Sequence, residues 1–210
     1  MAGGGARRLA GVVFVVLGLA ACGRASEDIR SVAALGDSLT ARYRLKYSYP
    51  DLLGAWRGIR VYNFGVSGDT TAQLLERLPG VLETGPTPQV VIVLGGTNDI
   101  ARGLPVEGAL RNLQLIAQGV REVGRQPVLV IPPPCGAFHL DSIQVLRAGL
   151  RDYSRREGIV LVDPWPAMED PARPGWMRAE LALDPLHPNE QGQFILAREI
   201  SRTLGWPSPP

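Results

Sequence analysis

Apolar residues fall into short unbroken runs, separated by longer stretches in which they recur every three or four positions. The runs SVAAL (31–35), IRVYNF (59–64), VVIVL (90–94), PVLVI (127–131) and IVLV (159–162) are bounded by Gly, Pro, Asn or Asp, as strand ends commonly are. Four of them are near-continuous rather than alternating, which predicts a parallel sheet covered on both faces. Between them lie helical patterns. TTAQLLERL carries Thr70 and Gln73 at capping-box spacing. VEGALRNLQLIAQGVREVG (106–124) puts Leu110, Leu113, Ile116, Ala117 and Val120 on one face, and 140–157 is similar. A last helix is expected from the good N-cap Asn189 to about Leu204, with a tail, GWPSPP (205–210), that should fray. Strand–helix alternation throughout predicts a three-layer α/β/α doubly wound fold on a five-stranded parallel sheet, in one domain over 31–204.

The N-terminus adds a different signal. MAGGGARRLAGVVFVVLGLAACG has a short positive head, an apolar run from Leu9 to about Ala21, then Cys22. The run is short for a bilayer span, and its order is that of a secretory signal. LAAC (19–22) resembles a bacterial lipobox. That implies a signal peptide over 1–21, lipidation of Cys22, a polar tether over 22–30 and an exported lipoprotein held to a cell-envelope membrane. The alternative is an ordinary signal with an incidental cysteine, giving a periplasmic or secreted protein. Formal charge is +2, but losing Arg7 and Arg8 with the signal leaves 20 basic against 20 acidic residues. No electrostatic case for nucleic acid remains. With Cys22 lipidated, Cys135 stands alone, which excludes a disulfide framework. Cys135 is expected to be a buried structural thiol. No HExxH and no short-spaced histidine pair are present, so no metal is expected. No nucleotide cofactor is expected either, since no G-x-G-x-x-G follows a strand.

In folds of this class, ligands sit beyond the carboxyl ends of the strands. The first strand runs into GDSLT with Ser38, the second into NFGVSGD with Gly65, the third into LGGTNDI with Asn98. Near the C-terminus, ALDPLHPNEQG places Asp184 three residues before His187, with a proline after each. Asp-Pro and His-Pro steps favour extended or turn geometry, so this segment alone is compatible with a plain loop. A nucleophile elsewhere changes that. A serine hydroxyl attacks poorly until a base takes its proton, and histidine titrates where such a base should. His139 has no acid at fixed short spacing, whereas His187 has Asp184. A carboxylate on one ring nitrogen selects the tautomer and stabilises the imidazolium that forms. GVSGD around Ser67 mimics a nucleophile elbow but ends in Asp69 instead of Gly, and is expected only to shape a turn. Asp37 and Asp99 are expected to fix loops by local hydrogen bonds.

Together, GDSLT, the Gly65 loop, GGTND and DPLHPNEQG resemble the four blocks of the SGNH (GDSL-type) hydrolases. Spacing is most similar to the branch of bacterial thioesterase I, lysophospholipase and arylesterase enzymes, over roughly Ser31 to Leu204. The resemblance implies a flavodoxin-like fold with Ser38 as nucleophile, His187 as general base and Asp184 as its orienting partner. It also implies an oxyanion hole of the Ser38 N–H, the Gly65 N–H and the Asn98 amide. No cofactor is expected, and the chain is expected to be a monomer. Departures are Arg42 and Arg44, where the branch carries small residues and glycines, and Pro185, where Gly commonly follows the Asp. Both bear on the shape of the cleft. Trp165, Trp176 and Phe138 are candidates either for an acyl pocket or for core. The expected activity is a serine esterase acting through an acyl-enzyme on small-molecule acyl esters or thioesters: lysophospholipid, aryl, or short- to medium-chain. Transfer of the same acyl group to a carbohydrate hydroxyl, and non-catalytic binding of acylated glycans, are the competing readings.

Overall fold

The computed structural model describes residues 29–136 and 140–207. The signal segment, Cys22, nearly all of the tether, Phe138 and His139 lie outside the described residues. One sheet is built from β1 (Ser31–Gly36), β2 (Arg60–Gly65), β3 (Val90–Leu94), β4 (Gln126–Val130) and β5 (Val160–Val162). Its order is β2-β1-β3-β4-β5 and every pairing is parallel. The predicted runs are these strands to within a residue or two.

Because successive side chains on a strand point to opposite faces, each strand feeds two cores. Ala33 and Leu35, Val91 and Val93, and Leu129 face one side. Against them pack α2 (Thr71–Leu82), α4 (Val106–Glu122) and α5 (Leu140–Glu157) through Leu74, Leu78, Leu113, Ile116, Leu146 and Leu150. Val32, Ala34, Ile92, Leu94 and Val128 face the other side, covered by α1 (Tyr49–Arg57) and α7 (Glu190–Thr203). Short helices α3 (Thr97–Ala101) and α6 (Trp165–Met168) and a 3-10 turn (Ala179–Leu181) complete the chain. Among the described residues, no helix is long and apolar enough to cross a membrane.

Three expectations change. Helix α1 is unforeseen, because its nine residues are too few for a clear apolar period. Its sequence cue is the start: Ser48 and Asp51 form a capping box around Tyr49-Pro50, and the Ser48 N–H donates to Asp51 at 2.8 Å. The tail is not frayed where described. Gly205 takes φ +65° and turns the chain back, the Trp206 N–H donates to the Ser201 carbonyl at 2.8 Å, and the indole is buried in the second core. A large apolar ring next to a helix end can bury its area that way, and the frayed form would leave it in water. The tether ends before Ile29, which packs in the same core.

Trp165 is also core. It is fully buried, and its indole N–H donates to the Pro132 carbonyl at 2.8 Å. Trp176 is half-buried under the Arg173 guanidinium and does not reach the groove described below. Cys135 is buried among apolar side chains, and burial, with the nearby Asp37 charge, pushes its thiol up to about 11.

Candidate active site

The sheet delivers the first three sequence blocks to one edge because β1, β2 and β3 are adjacent, parallel and in step, with Gly36 level with Gly65 and Leu94. Beyond Gly36 the chain makes a tight turn in which the Asp37 carbonyl accepts from Thr40 and Ala41 at 3.1 and 3.0 Å. Ser38 sits on that turn. Gly65 packs directly against it: an added Cβ would lie 2.7 Å from the Ala41 Cα and the Thr40 carbonyl carbon, and closer still to the Ala41 nitrogen.

The fourth block reaches the same edge from the far end of the chain. The loop between the 3-10 turn and α7 is a narrow hairpin, with Leu183 N–H on the His187 carbonyl at 2.8 Å and Asn189 N–H on the Leu181 carbonyl at 2.8 Å. Asn189 then caps α7, its side chain accepting from Gly192 at 3.0 Å. Within the hairpin, Asp184 accepts the backbone N–H groups of Leu186 and His187 at 2.9 and 2.8 Å, and faces His187 Nδ1 at 2.9 Å. Burial alone would raise this carboxyl. The hydrogen bonds from those two amides and from the ring overcome it and hold Asp184 below the usual carboxylate range. With the carboxylate on Nδ1, that nitrogen carries the hydrogen and Nε2 presents a lone pair. His187 Nε2 stands 3.0 Å from Ser38 Oγ.

The structure therefore brings Ser38, His187 and Asp184 into one hydrogen-bonded line. The other two expected groups are nearby, with their N–H groups engaged. Asn98, in the first turn of α3, donates Nδ2 to the Asp69 carbonyl at 2.9 Å and to Asp37 Oδ2 at 3.2 Å. The Gly65 N–H donates to Asn63 Oδ1 at 2.9 Å. Three residues on, Gly68 holds φ +87°, has its carbonyl tied to Arg102, and directly precedes the residue whose carbonyl holds Asn98. Ser67 is exposed on this loop. Asp99 fixes the start of α2, accepting from the Thr71 N–H and hydroxyl at 2.9 and 2.6 Å.

Some site residues carry no signal in a linear reading. Tyr43 stacks on the His187 ring with centroids 4.2 Å apart. Buried Gln193 on α7 accepts from the Tyr49 N–H at 2.8 Å and donates to the Leu39 carbonyl at 3.1 Å, joining the serine turn to the histidine's helix. Asn63 also donates to the Thr40 carbonyl at 3.0 Å, and Arg77 spans the Asp69 carboxylate and the Phe64 and Gly36 carbonyls. Only a three-dimensional arrangement gives these pairings meaning. Arg44 is the one non-glycine residue of positive φ, at +57°, among the described residues. It holds a left-handed bend of the kind that glycine adopts most readily. Beside the hairpin, Leu45, Tyr47, Leu183 and Phe194 line an open groove of roughly 630 Å³. Among the described residues, no cluster of His, Cys, Asp and Glu could hold a metal ion.

Comparisons with known proteins identify the family. Residues 34–194 match the sequence model described as the GDSL-like Lipase/Acylhydrolase family. An arylesterase from Vibrio mimicus is 30% identical over 196 residues, covering 89% of this chain and 92% of that protein. The thioesterase 1/protease 1/lysophospholipase L1 of Escherichia coli K12 is 32% identical over 177 residues, covering 81% of each. Among solved structures, a G-D-S-L family lipolytic protein from Desulfitobacterium hafniense superposes with a TM-score of 0.75 at 24% identity, covering 82% of this chain and 98% of that one. A psychrotrophic Pseudoalteromonas esterase gives 0.69 at 22% identity, covering 84% and 97%. These two likenesses concern the fold.

Proposed function

Since the chain belongs to the GDSL-like lipase/acylhydrolase family and is an ester-bond hydrolase, we propose that it works through an acyl-enzyme on Ser38, with His187 as base and Asp184 as orienting group. The observation that carries this reading is the unbroken line from Ser38 Oγ to His187 Nε2 at 3.0 Å and from Nδ1 to Asp184 at 2.9 Å. Ser38 Oγ attacks the acyl carbon as its proton passes to Nε2. The tetrahedral oxyanion collapses, the C–O or C–S bond breaks, and the leaving alkoxide or thiolate takes the proton from His187. Water, deprotonated by the same nitrogen, then attacks the Ser38 ester and releases the carboxylic acid.

For the oxyanion we propose the Ser38 N–H, the Asn98 amide and the Gly68 N–H. Gly65 was the expected third donor, but its single N–H is committed to Asn63 Oδ1 at 2.9 Å, whereas the longer 3.2 Å contact of Asn98 with Asp37 leaves a hydrogen that can be shared. The Gly68 N–H has no protein acceptor among the described residues, and Gly68 adjoins the Asn98–Asp69 contact. The Leu45–Phe194 groove would take the apolar part of a short- or medium-chain ester or of a lysophospholipid.

A p-nitrophenyl ester panel of rising chain length, with Ser38→Ala as control, tests the chemistry. Expected is multiple turnover that Ser38→Ala abolishes, with a fluorophosphonate adduct on Ser38. A single burst of nitrophenol without turnover would instead favour transfer to an acceptor hydroxyl. Export as a lipoprotein belongs to the same proposal, and rests on the LAAC (19–22) segment. Cys22→Ala should move the protein from the membrane to the soluble fraction; unchanged partition would refute lipid attachment.

A further inference from the structure

Asp37 is an odd neighbour for a nucleophile. Its carboxyl is fully buried one residue before Ser38, and no cation touches it among the described residues. Asp99 on α3 and Asp69 on the β2–α2 loop add negative charge nearby. The Tyr49 phenol on α1 and the Cys135 thiol after β4 also face it, and both respond to its charge. Two cations lie in the region: Arg77 on α2 is directed at the Asp69 carboxylate and two carbonyls, and Arg102 at the Gly68 carbonyl. Burying a carboxyl without a charged partner is costly, and retaining it there asks for a function.

We propose that Asp37 is a positioning residue for Asn98: its ionised carboxylate and the Asp69 carbonyl together aim the Asn98 amide nitrogen at the oxyanion position beside Ser38, and protonation of Asp37 releases that aim. The inference rests on the acyl-enzyme reading above. Two acceptors on Nδ2, at 2.9 and 3.2 Å, determine which end of the amide is nitrogen. The longer contact leaves its hydrogen available for sharing with an oxyanion in a three-centre bond. A proton added to Asp37 would go to Oδ2, which holds only the longer 3.2 Å contact, whereas Oδ1 accepts the Leu39 N–H at 2.9 Å. An O–H there would confront the Asn98 N–H, donor against donor, and the amide would turn. Burial first of all, opposed by the Leu39 N–H and reinforced by Asp99 and Asp69, pushes the Asp37 carboxyl up to about 7. The change therefore falls near neutral pH.

The test is the pH dependence of kcat/KM on a p-nitrophenyl ester. If His187 and Asp37 must both lose a proton, the acid limb of the logarithmic plot is steeper than unit slope and approaches two. Asp37→Asn should restore unit slope and lower kcat by about 10-fold or more with little change in KM, as for a weakened donor. Combined with Asn98→Ala it should add almost nothing, since both act on one contact. Asn98→Ala alone should also show unit slope, which keeps the test open if Asp37→Asn does not fold. Unit slope in the unaltered enzyme, or losses that multiply in the double variant, would overturn the inference while leaving the acyl-enzyme intact. Full turnover by Ser38→Ala would instead remove the underlying reading.

Discussion

Replacing Gly65 with Ala tests how closely the serine turn depends on the neighbouring strand. The added methyl would sit 2.7 Å from the Ala41 Cα and the Thr40 carbonyl carbon, against about 3.4 Å or more for an unstrained contact. Neither wall is a side chain that can rotate away. Thr40 and Ala41 are tied to the Asp37 carbonyl at 3.1 and 3.0 Å, and β2 is tied to β1 by the Val66 N–H on the Gly36 carbonyl at 3.0 Å. Relief requires the serine turn or the strand end to shift by about 1 Å, set by the contact with the Ala41 nitrogen, at an overpacking cost of about 1–3 kcal/mol. A shift of that size would stretch the 3.0 Å Ser38–His187 contact out of hydrogen-bond range. The rate should fall about 10²-fold, mostly in kcat. Steady-state p-nitrophenyl butyrate hydrolysis and thermal melting of the same preparation measure both effects. Gly80→Ala is the control: nothing beyond its own helical turn lies within 4 Å of the added methyl, and in the interior of α2 it should stabilise by about 0.5–1 kcal/mol. A Gly65→Ala enzyme with unaltered melting and unaltered kcat/KM would refute the reasoning.

Other outcomes follow from single contacts. Asn98→Ala should lower kcat by about 10²–10³ with modest change in KM, and an unchanged kcat removes Asn98 from the oxyanion hole. Gln193→Leu leaves the Tyr49 N–H and the Leu39 carbonyl without partners, so urea denaturation should show a loss of about 2–4 kcal/mol, with reduced kcat. Between the ordinary carboxyl value of 3.8 and about 7, native Asp37 holds a proton that the unfolded chain has released, so stability should fall as pH rises through that window. The full loss is roughly 4 kcal/mol, absent in Asp37→Asn, while the lowered Asp184 acts oppositely at lower pH, where protonating it removes stability; stability rising steadily from pH 5 to 8 would contradict the assignment. Arg44→Gly relieves about 1–2 kcal/mol of left-handed backbone cost against about 0.5–1 kcal/mol of added chain freedom, so the melting temperature should rise slightly; a fall would mean that the side chain makes a stabilising contact.

How far the site could be read along the chain differs residue by residue. Ser38, Asp184 and His187 were legible because Gly-Asp-Ser after a buried run and Asp-Pro-Leu-His before a helix are local signals. Gly65 was selected by its place at a strand end, and that signal does not reveal what its N–H touches. The Asn63 side chain, two residues away, takes that N–H, and Gly68 comes into consideration only once the loop is folded against Asn98. The burial of Trp206 is hidden from the sequence for a related reason. A Gly-Trp-Pro tail has no period, so its burial depends on a cavity between α1, α7 and the sheet that the linear pattern does not describe.

The order of residues by itself determined the five strands, the two-faced burial of the sheet and the candidates for the reacting side chains, because strand and helix periods and short turn motifs act over a few neighbours. Only the tertiary structure decided that residues 149 apart meet at 3.0 Å, which neighbours the Gly65 and Asn98 amides contact, and that a buried carboxyl lies behind the serine. Those are properties of distance and dielectric between segments far apart in the chain, and they exist only after the sheet has aligned its strand ends and α7 has carried the histidine hairpin to them.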